Sequence, residues 1–190
     1  MQSLNITPTS APSTLTHWTI DGAHSSVAFS IRHLMITNVR GEFQKVSGSV
    51  SYDPKRPEAT RILAAIEVAS INTREAQRDA HLRSADFFNA ENYPELTFES
   101  TSARVTQPGQ LEVKGQLTIR GTSREVVLLV EGPTPQQVDP WGNIRVGAQA
   151  TAKIKRSDYG MSWNKVIEAG AVVVGDEVSI TIDVSLVKQS

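Results

Sequence analysis

Apolar and polar side chains alternate with a period of two along most of the chain from Trp18 onwards. This alternation is typical of β-strands that bury one face and expose the other, and it predicts an all-β fold. Residues 125–131 are apolar at most positions, which suits a strand buried on both faces. Eight long strands are predicted, at residues 25–33, 43–52, 61–69, 96–102, 111–119, 125–131, 144–155 and 177–186.

Short loops rich in Pro, Gly, Asp and Asn separate these strands and imply antiparallel neighbours. One segment, residues 73–92, lacks the two-residue period and predicts two short helices. Asn72 and Glu75 have the spacing of a capping box for the first helix, and Ser84 can cap the second. Pro94 then favours an extended chain into the next strand.

Strands with one apolar face each suit either a closed barrel or a two-layer sandwich. An eight-stranded barrel has an interior that is filled by side chains or is wide enough for one ligand. Small inward residues favour a ligand cavity, but the same residues would leave no space if they face Phe29, Phe43 and Trp163 across the barrel, and both interpretations stay open. The small positions are Gly48, Ala64, Ser100, Ser102, Gly115, Ala148, Ala150 and Ala152.

Composition restricts the partners of this chain. Its 19 Lys and Arg residues balance 20 Asp and Glu residues, which gives no electrostatic reason to expect nucleic acid or an anionic membrane as the main partner. The absence of cysteine excludes disulfides and thiolate chemistry. The sequence contains no apolar run of about 18 residues, so no membrane span is predicted. Residues 1–16 resemble no signal peptide, so we predict a disordered leader, a domain over residues 17–190 and a cytoplasmic location.

Three histidines, His24, His33 and His81, are candidate metal ligands. No two of them have the spacing of a zinc site, so structural histidines with hydrogen bonds are expected. A hydrolytic centre of Asp79, His81 and Ser84 is not expected either, because positions 79 and 81 point to different sides of a helix and no Gly-x-Ser-x-Gly motif occurs. We predict no metal, cofactor or catalytic residue, and expect Asp79 to order the helical segment through hydrogen bonds or a neighbouring arginine.

Seven sequence blocks resemble the YceI-like family, and they occur in the family's order between residues 17 and 187. The blocks are His17–His33 (HWTIDGAHSSVAFSIRH), Val39–Phe43 (VRGEF), Arg78–Leu82 (RDAHL), Asp86–Phe88 (DFF), Tyr93–Phe98 (YPELTF), Gly115–Thr122 (GQLTIRGT) and Arg156–Met161 (RSDYGM). The resemblance implies an eight-stranded, lipocalin-like antiparallel barrel whose tunnel holds a polyisoprenoid or another long-chain amphiphile. It also implies frequent homodimers, and many members are exported to the periplasm.

On this basis we expect a non-enzymatic protein that binds, sequesters or transports a polyisoprenoid, an isoprenoid quinone or a fatty-acid-like lipid inside the barrel. Two other interpretations stay open. The first is a protein-interaction or assembly module whose barrel is filled by its own side chains. The second is an enzyme that modifies a lipid.

The predicted ligand-binding residues combine the inward register of the strands with apolar residues of the helical segment. Ser25 and His33 would hydrogen-bond a head group. Arginines at strand ends, namely Arg32, Arg40, Arg120 and Arg156, are unranked candidates for a phosphorylated head group. The predicted set is Ser25, Val27, Phe29, Ile31, His33, Phe43, Leu82, Phe87, Phe88, Leu96, Phe98, Leu117, Ile119, Ala148, Ala150, Met161 and Trp163.

Overall fold

The computed structural model describes residues 14–164 and 173–189, which form twelve strands, one α-helix and several 3₁₀ turns. The helix, α1, is Ala76–Arg83. The strands are β1 (Thr16–Ile20), β2 (Ser26–His33), β3 (Thr37–Phe43), β4 (Val46–Tyr52), β5 (Arg61–Glu67), β6 (Ile71–Asn72), β7 (Glu95–Gln107), β8 (Gln110–Ile119), β9 (Thr122–Glu131), β10 (Gln137–Val138), β11 (Ile144–Lys155) and β12 (Val174–Lys188).

Eight of these strands close into a barrel in the order β1, β4, β5, β7, β8, β9, β11 and β12, and β12 pairs again with β1. Every neighbouring pair in this ring is antiparallel. The pairing of β11 with β12 is long and runs from Arg145 opposite Val187 to Lys155 opposite Glu177. This architecture confirms the predicted all-β, eight-stranded antiparallel barrel with a short helical segment. The membership of the ring differs in one strand, because β1, which was not among the eight predicted strands, lies in the ring, whereas the predicted strand at 25–33 is β2 and lies outside it.

Three further strands extend one end of the barrel. β2 pairs with the first part of β12, β3 pairs with β2, and β6 pairs with the last residues of β3. The break between β3 and β4 at Gln44 and Lys45 is the point where the sequence alternation changes register. We name the end that carries α1 and the start of β12 the helix end. The opposite end, where Pro54 and Pro133 lie beside the end of β12, is the proline end.

The helical segment contains one helix, not the two that the sequence predicts. α1 is capped by Glu75, whose carboxylate accepts hydrogen bonds from the backbone N–H groups of Gln77 and Arg78. Asn72, the predicted cap, instead accepts a hydrogen bond from the N–H of Arg74. A carboxylate at this position also interacts favourably with the positive end of the helix dipole.

Beyond Ser84 the chain folds into turns where a second helix was predicted. The N–H of Phe88 donates to the carbonyl oxygen of Leu82, and Asn89 adopts the left-handed conformation with φ of 52°. Neighbouring residues on a helix point about 100° apart, so a helix here would direct only one of Phe87 and Phe88 towards the barrel. The turns allow both rings to face inwards.

An irregularity in β7 reverses the predicted orientation of Ser102. Ser100 is buried as predicted, and its hydroxyl accepts a hydrogen bond of 2.8 Å from the N–H of Ile62. Between Ser100 and Ser102 the pairing with β8 shifts by one residue, so that Ala103 is buried and Ser102 is exposed. An extra residue in one strand exchanges its two faces from that point on.

Two other sequence expectations differ from the structure. In β9, Val126 and Leu128 are buried, but Val127 and Leu129 lie exposed on the outside, so the strand is not buried on both faces. Thr16, the last residue of the predicted leader, is the first residue of β1. The rest of the leader prediction falls mostly on residues 1–13, which lie outside the described residues. In the part of the chain that is described, no helix is long and apolar enough to cross a membrane.

One ion-pair cluster fastens the β10–β11 hairpin to the corner between β1 and β2. The guanidinium of Arg145 donates to Asp139 at 2.7 Å and to Asp21 at 2.6 Å, and Asp21 also contacts the Nδ1 atom of His24 at 2.8 Å. The hydrogen bond from Arg145, followed by that from His24, lowers the pKa of Asp21 to about 2. Arg145 also lowers the pKa of Asp139.

This cluster predicts a specific loss of stability in acid. Both carboxyl groups have depressed pKa values in the folded state, so they stabilise the protein above their usual pKa of 3.8, and this contribution is lost as the pH falls towards about 2. In the Arg145→Met variant both groups titrate closer to their usual pKa. Urea unfolding between pH 6 and about pH 2 should therefore show a smaller acid loss for the variant than for the wild type, and equal losses would contradict this role.

Candidate functional site

The barrel encloses a cavity of about 500 Å³, within the range of roughly 300–1,000 Å³ typical of small-molecule sites. Its wall consists mainly of apolar side chains from the barrel strands, β2 and the α1 segment. The period-two alternation builds this wall, because every second residue of a strand points to the same side. In β12 alone it contributes Val178, Ile180, Ile182, Val184 and Leu186.

Most of the predicted ligand-binding residues line this cavity. They come from the middle of the strands and from the turns after α1, where periodicity and apolar character agree. The lining members of the predicted set are Val27, Phe29, Ile31, Phe43, Leu82, Phe87, Phe88, Leu96, Phe98, Leu117, Ile119, Ala148, Ala150 and Met161.

The structure places the other three members of the set outside the cavity wall. Ser25 follows a 3₁₀ turn, and its hydroxyl donates to the carbonyl of Asp21 at 2.7 Å and accepts from the N–H of Ser185 at 3.0 Å. His33 is the last residue of β2 and lies opposite Thr37. The positions of Ser25 and His33 therefore do not support a head-group contact. The prediction continued the alternation of Val27, Phe29 and Ile31 beyond the residues that face the cavity.

Trp163, the third of these residues, belongs to an aromatic cluster over the helix end. Its ring lies 4.8 Å from that of His81 and 5.3 Å from that of Phe87, measured between centroids. Because Phe87 lines the cavity, Trp163 packs behind the wall and supports it. On the inner side, Phe43 contacts both Phe29 and Phe88 at centroid distances of 5.8 and 5.7 Å.

The small inward residues support both interpretations of the sequence in part. Ala64, Ala148, Ala150 and Ala152 line the cavity and widen it. Gly115 instead accommodates the ring of Phe98, because a Cβ atom there would lie 2.4 Å from Cζ of that ring. Gly48 likewise allows close approach of the backbone carbonyl of Leu63, and neither glycine adds open space.

Gly115→Ala should therefore destabilise the barrel. The added methyl group must displace Phe98 and approach the carbonyl oxygen of Glu99, and we expect the free energy of unfolding to fall by about 1–3 kcal/mol. Gly147→Ala is the matched control, because its nearest neighbour would lie 3.6 Å away, and this variant should be unchanged or slightly stabilised. Urea unfolding measures both, and equal stabilities would contradict the close packing of Phe98.

Two charged residues of the RDAHL block, Arg78 and Asp79, anchor α1 to Thr73. Asp79 is buried, and its carboxylate accepts hydrogen bonds from the N–H and the hydroxyl of Thr73 at 2.9 and 2.5 Å. Arg78 donates to the hydroxyl and carbonyl oxygen of the same threonine. The expectation that Asp79 orders the segment through hydrogen bonds is confirmed.

The side chains of Asp79, His81 and Ser84, which were not expected to form a hydrolytic centre, make hydrogen bonds to other groups. His81 contacts Asp86 at 2.9 Å, whereas Asp79 faces Thr73, and the hydroxyl of Ser84 donates to the backbone carbonyl of His81. Within residues 14–164 and 173–189, no three histidine or carboxylate side chains gather where they could hold a metal ion. His24, one of the candidate ligands, pairs with Asp21.

Of the four candidate arginines, Arg156 is the one in the cavity wall. It is buried at the helix end, and its guanidinium donates to the carbonyl oxygens of Gly175, Met161 and Trp163 at 2.7, 2.5 and 2.8 Å. Burial lowers the pKa of Arg156. The sequence could not rank this arginine above the other three. Burial distinguishes Arg156, and the types of the neighbouring residues do not predict burial.

The proline end is where the cavity reaches solvent. Pro54, Thr134, Pro135 and Gln136 line the cavity and are also exposed at this end. In contrast, three of the residues that line the cavity at the helix end, Arg156, Phe87 and Met161, are buried. The sequence analysis missed this strip. The Gly and Pro residues at 132–135 indicated only a turn. In the structure this segment lies along β11, where Thr134 exchanges hydrogen bonds with the backbone of Gly147.

Both the sequence and the fold of this chain are similar to those of known proteins. A UPF0312 protein of Vibrio cholerae serotype O1 is 39% identical over 140 residues, which are 74% of this chain and 74% of that protein. The structure of BcnA from Burkholderia cenocepacia matches with a TM-score of 0.76 at 25% identity, over 87% of this chain and 98% of that chain.

A polyisoprenoid binding domain from Saccharophagus degradans, implicated in plant cell wall breakdown, matches with a TM-score of 0.66 and covers 92% of this chain and 99% of that domain. At 16% identity, this likeness shows a shared fold. The family model of the YceI-like domain matches residues 18–186, which include β1 to β12 almost completely. The resemblance seen in the sequence is therefore confirmed, and this chain belongs to the YceI-like family.

Proposed function

We propose that this protein binds a long-chain apolar lipid of the polyisoprenoid class inside the barrel and carries or sequesters it without chemical change. The observation that carries this proposal is the apolar cavity of about 500 Å³, which the protein's own side chains leave unfilled. A self-filled interaction module would need a packed interior. The polyisoprenoid binding domain of Saccharophagus degradans, which shares the fold, supports the same ligand class.

Burial of the lipid tail supplies the affinity in this proposal. Each methylene group that leaves water for an apolar site contributes up to about 0.8 kcal/mol. Few polar groups face the interior, so the cavity selects by length and shape and makes few directional hydrogen bonds. This selectivity suits a polyisoprenol, an isoprenoid quinone or a fatty-acid-like chain.

We further propose that the tail points to the helix end and the head group stays at the proline end. At the helix end the donors of Arg156 are already engaged by four backbone carbonyls, and the lining residues Phe87 and Met161 beside it are buried. At the proline end, Tyr52 and Gln136 line an exposed opening where a polar head can keep its water. A head group buried without hydrogen bonds would cost roughly 2–7 kcal/mol.

A series of prenols of increasing length tests this function. Farnesol and geranylgeraniol, delivered from cyclodextrin, would be titrated while the intrinsic tryptophan fluorescence is followed, to which Trp18, a buried wall residue, contributes. Affinity should rise by about tenfold or more for each added isoprene unit until the cavity is full. An affinity that does not depend on chain length, or no binding at all, would exclude lipid carriage. Homodimer formation and a cytoplasmic location stay predictions.

A further inference from the structure

The tip of the β10–β11 hairpin exposes two large apolar side chains at the proline end. Trp141 is 80% exposed and Val138 is 71% exposed. Single exposed apolar residues are common, but an exposed tryptophan next to an exposed valine is unusual on a soluble surface. Tryptophan combines an apolar ring with a polar N–H, which suits a boundary between water and an apolar phase.

These residues lie beside the opening of the cavity. Gln136, two residues before Val138, belongs to the cavity wall. Val138 pairs with Ile144, the first residue of β11, and the loop to Trp141 extends beyond that pair. Pro133 and Pro135 belong to the cavity wall, and Val138 and Trp141 follow them a few residues later in the chain at the same end of the barrel.

Hydrogen bonds fix this tip in place. The carboxylate of Asp139 accepts from the N–H of Trp141 at 3.0 Å and from the N–H of Asn143 at 2.9 Å. Arg145 donates to the same carboxylate and to Asp21 in the neighbouring part of the barrel. These hydrogen bonds hold the loop in the conformation in which Trp141 is exposed.

We propose that Val138 and Trp141 form a lip that docks on a lipid bilayer, so that the ligand passes between the membrane and the cavity without crossing water. The proposal rests on the proposed function, because it supplies the route by which a lipid reaches the opening. A bilayer fits this surface better than a protein partner, since an exposed indole beside the opening of an apolar cavity suits the bilayer interface. The cluster of Asp139, Asp21 and Arg145 holds two negative charges and one positive charge, so it suits zwitterionic lipid better than anionic lipid.

The helix end offers a matched control surface. Met35 and Ile36, at the tip of the β2–β3 hairpin, are 62% and 76% exposed, but they lie at the end where the wall is buried. Serine substitutions there remove a similar amount of exposed apolar surface. A difference between the two sets of variants therefore reports position relative to the opening and not apolar exposure in general.

The test measures transfer of a pyrene-labelled long-chain alcohol to the protein from two donors, phosphatidylcholine vesicles and cyclodextrin. For Trp141→Ser, transfer from vesicles should slow by about tenfold, and the double variant Val138→Ser with Trp141→Ser should be slower still. Binding from cyclodextrin should be unchanged in both. Met35→Ser with Ile36→Ser should behave as the wild type with both donors.

The outcomes separate the lip from the cavity. If wild-type protein takes up the probe from neither donor, the proposed function fails. If it takes up the probe from both, but Trp141→Ser transfers from vesicles at the wild-type rate, the lip is overturned and lipid binding stands. Sedimentation distinguishes the remaining occupant: if Trp141→Ser converts a dimer to a monomer, the surface joins two copies of the chain and the bilayer proposal is overturned.

Discussion

Ala150→Trp is expected to abolish lipid uptake while the barrel remains folded. Ala150 lies in the cavity wall, opposite Ile182 on β12 and Val130 on β9. An indole ring at this position projects into the space that the lipid tail would occupy. Since the cavity is open, the ring finds room, and we expect a stability change of no more than about 1–3 kcal/mol.

Prenol binding measures this effect, and the apparent affinity of Ala150→Trp should fall by about a hundredfold or more because several buried methylene groups lose their place. The control is Thr151→Trp, one residue further along β11, whose side chain is exposed on the outside of the barrel. Thr151→Trp should bind as the wild type does. Undiminished binding by folded Ala150→Trp would mean that the lipid does not occupy the middle of the barrel.

Arg156→Met should produce the largest loss of stability. Methionine keeps much of the apolar stem of Arg156 but leaves the carbonyl oxygens of Gly175, Met161 and Trp163 without their donors. Each buried polar group without a partner costs about 1–3 kcal/mol. We expect the free energy of unfolding to fall by about 3–5 kcal/mol in total.

Urea unfolding provides the measurement, with Arg124→Met as the control. Arg124 is exposed and donates to one neighbouring carbonyl, that of Ser123, so its replacement should change stability by no more than about 0.5 kcal/mol. Arg156→Lys should remain unstable, because an ammonium group cannot reproduce the planar set of donors. If Arg156→Met is as stable as the wild type, the helix end is held by other contacts.

The barrel was predictable because alternation carries information at every residue of a long strand. In β8 and β12 each apolar position predicted to face inwards lies in the wall, including Leu117, Ile119 and Ile180. A shift of one residue would expose the whole apolar face of such a strand, so the register is strongly determined. The aromatic residues Phe87 and Phe88 were also placed correctly, although the helix expected to carry them is absent.

The errors arise where local geometry breaks the period. The irregularity before Ser102 and the 3₁₀ turn before Ser25 leave no mark in the pattern of residue types. Small size was a weaker guide than alternation, since Gly115 serves close packing whereas Ala150 opens space. The opening at Pro135 and the depth of Arg156 depend on how distant segments meet, which a single sequence does not encode.

Native mass spectrometry of the protein, purified from cells without detergent, tests the central claim most directly. The account predicts a retained adduct of lipid mass, which organic extraction removes and a polyprenol restores. The Ala150→Trp variant should carry no adduct. A clean mass of the bare chain that stays unchanged after incubation with polyprenol would contradict lipid binding in the barrel.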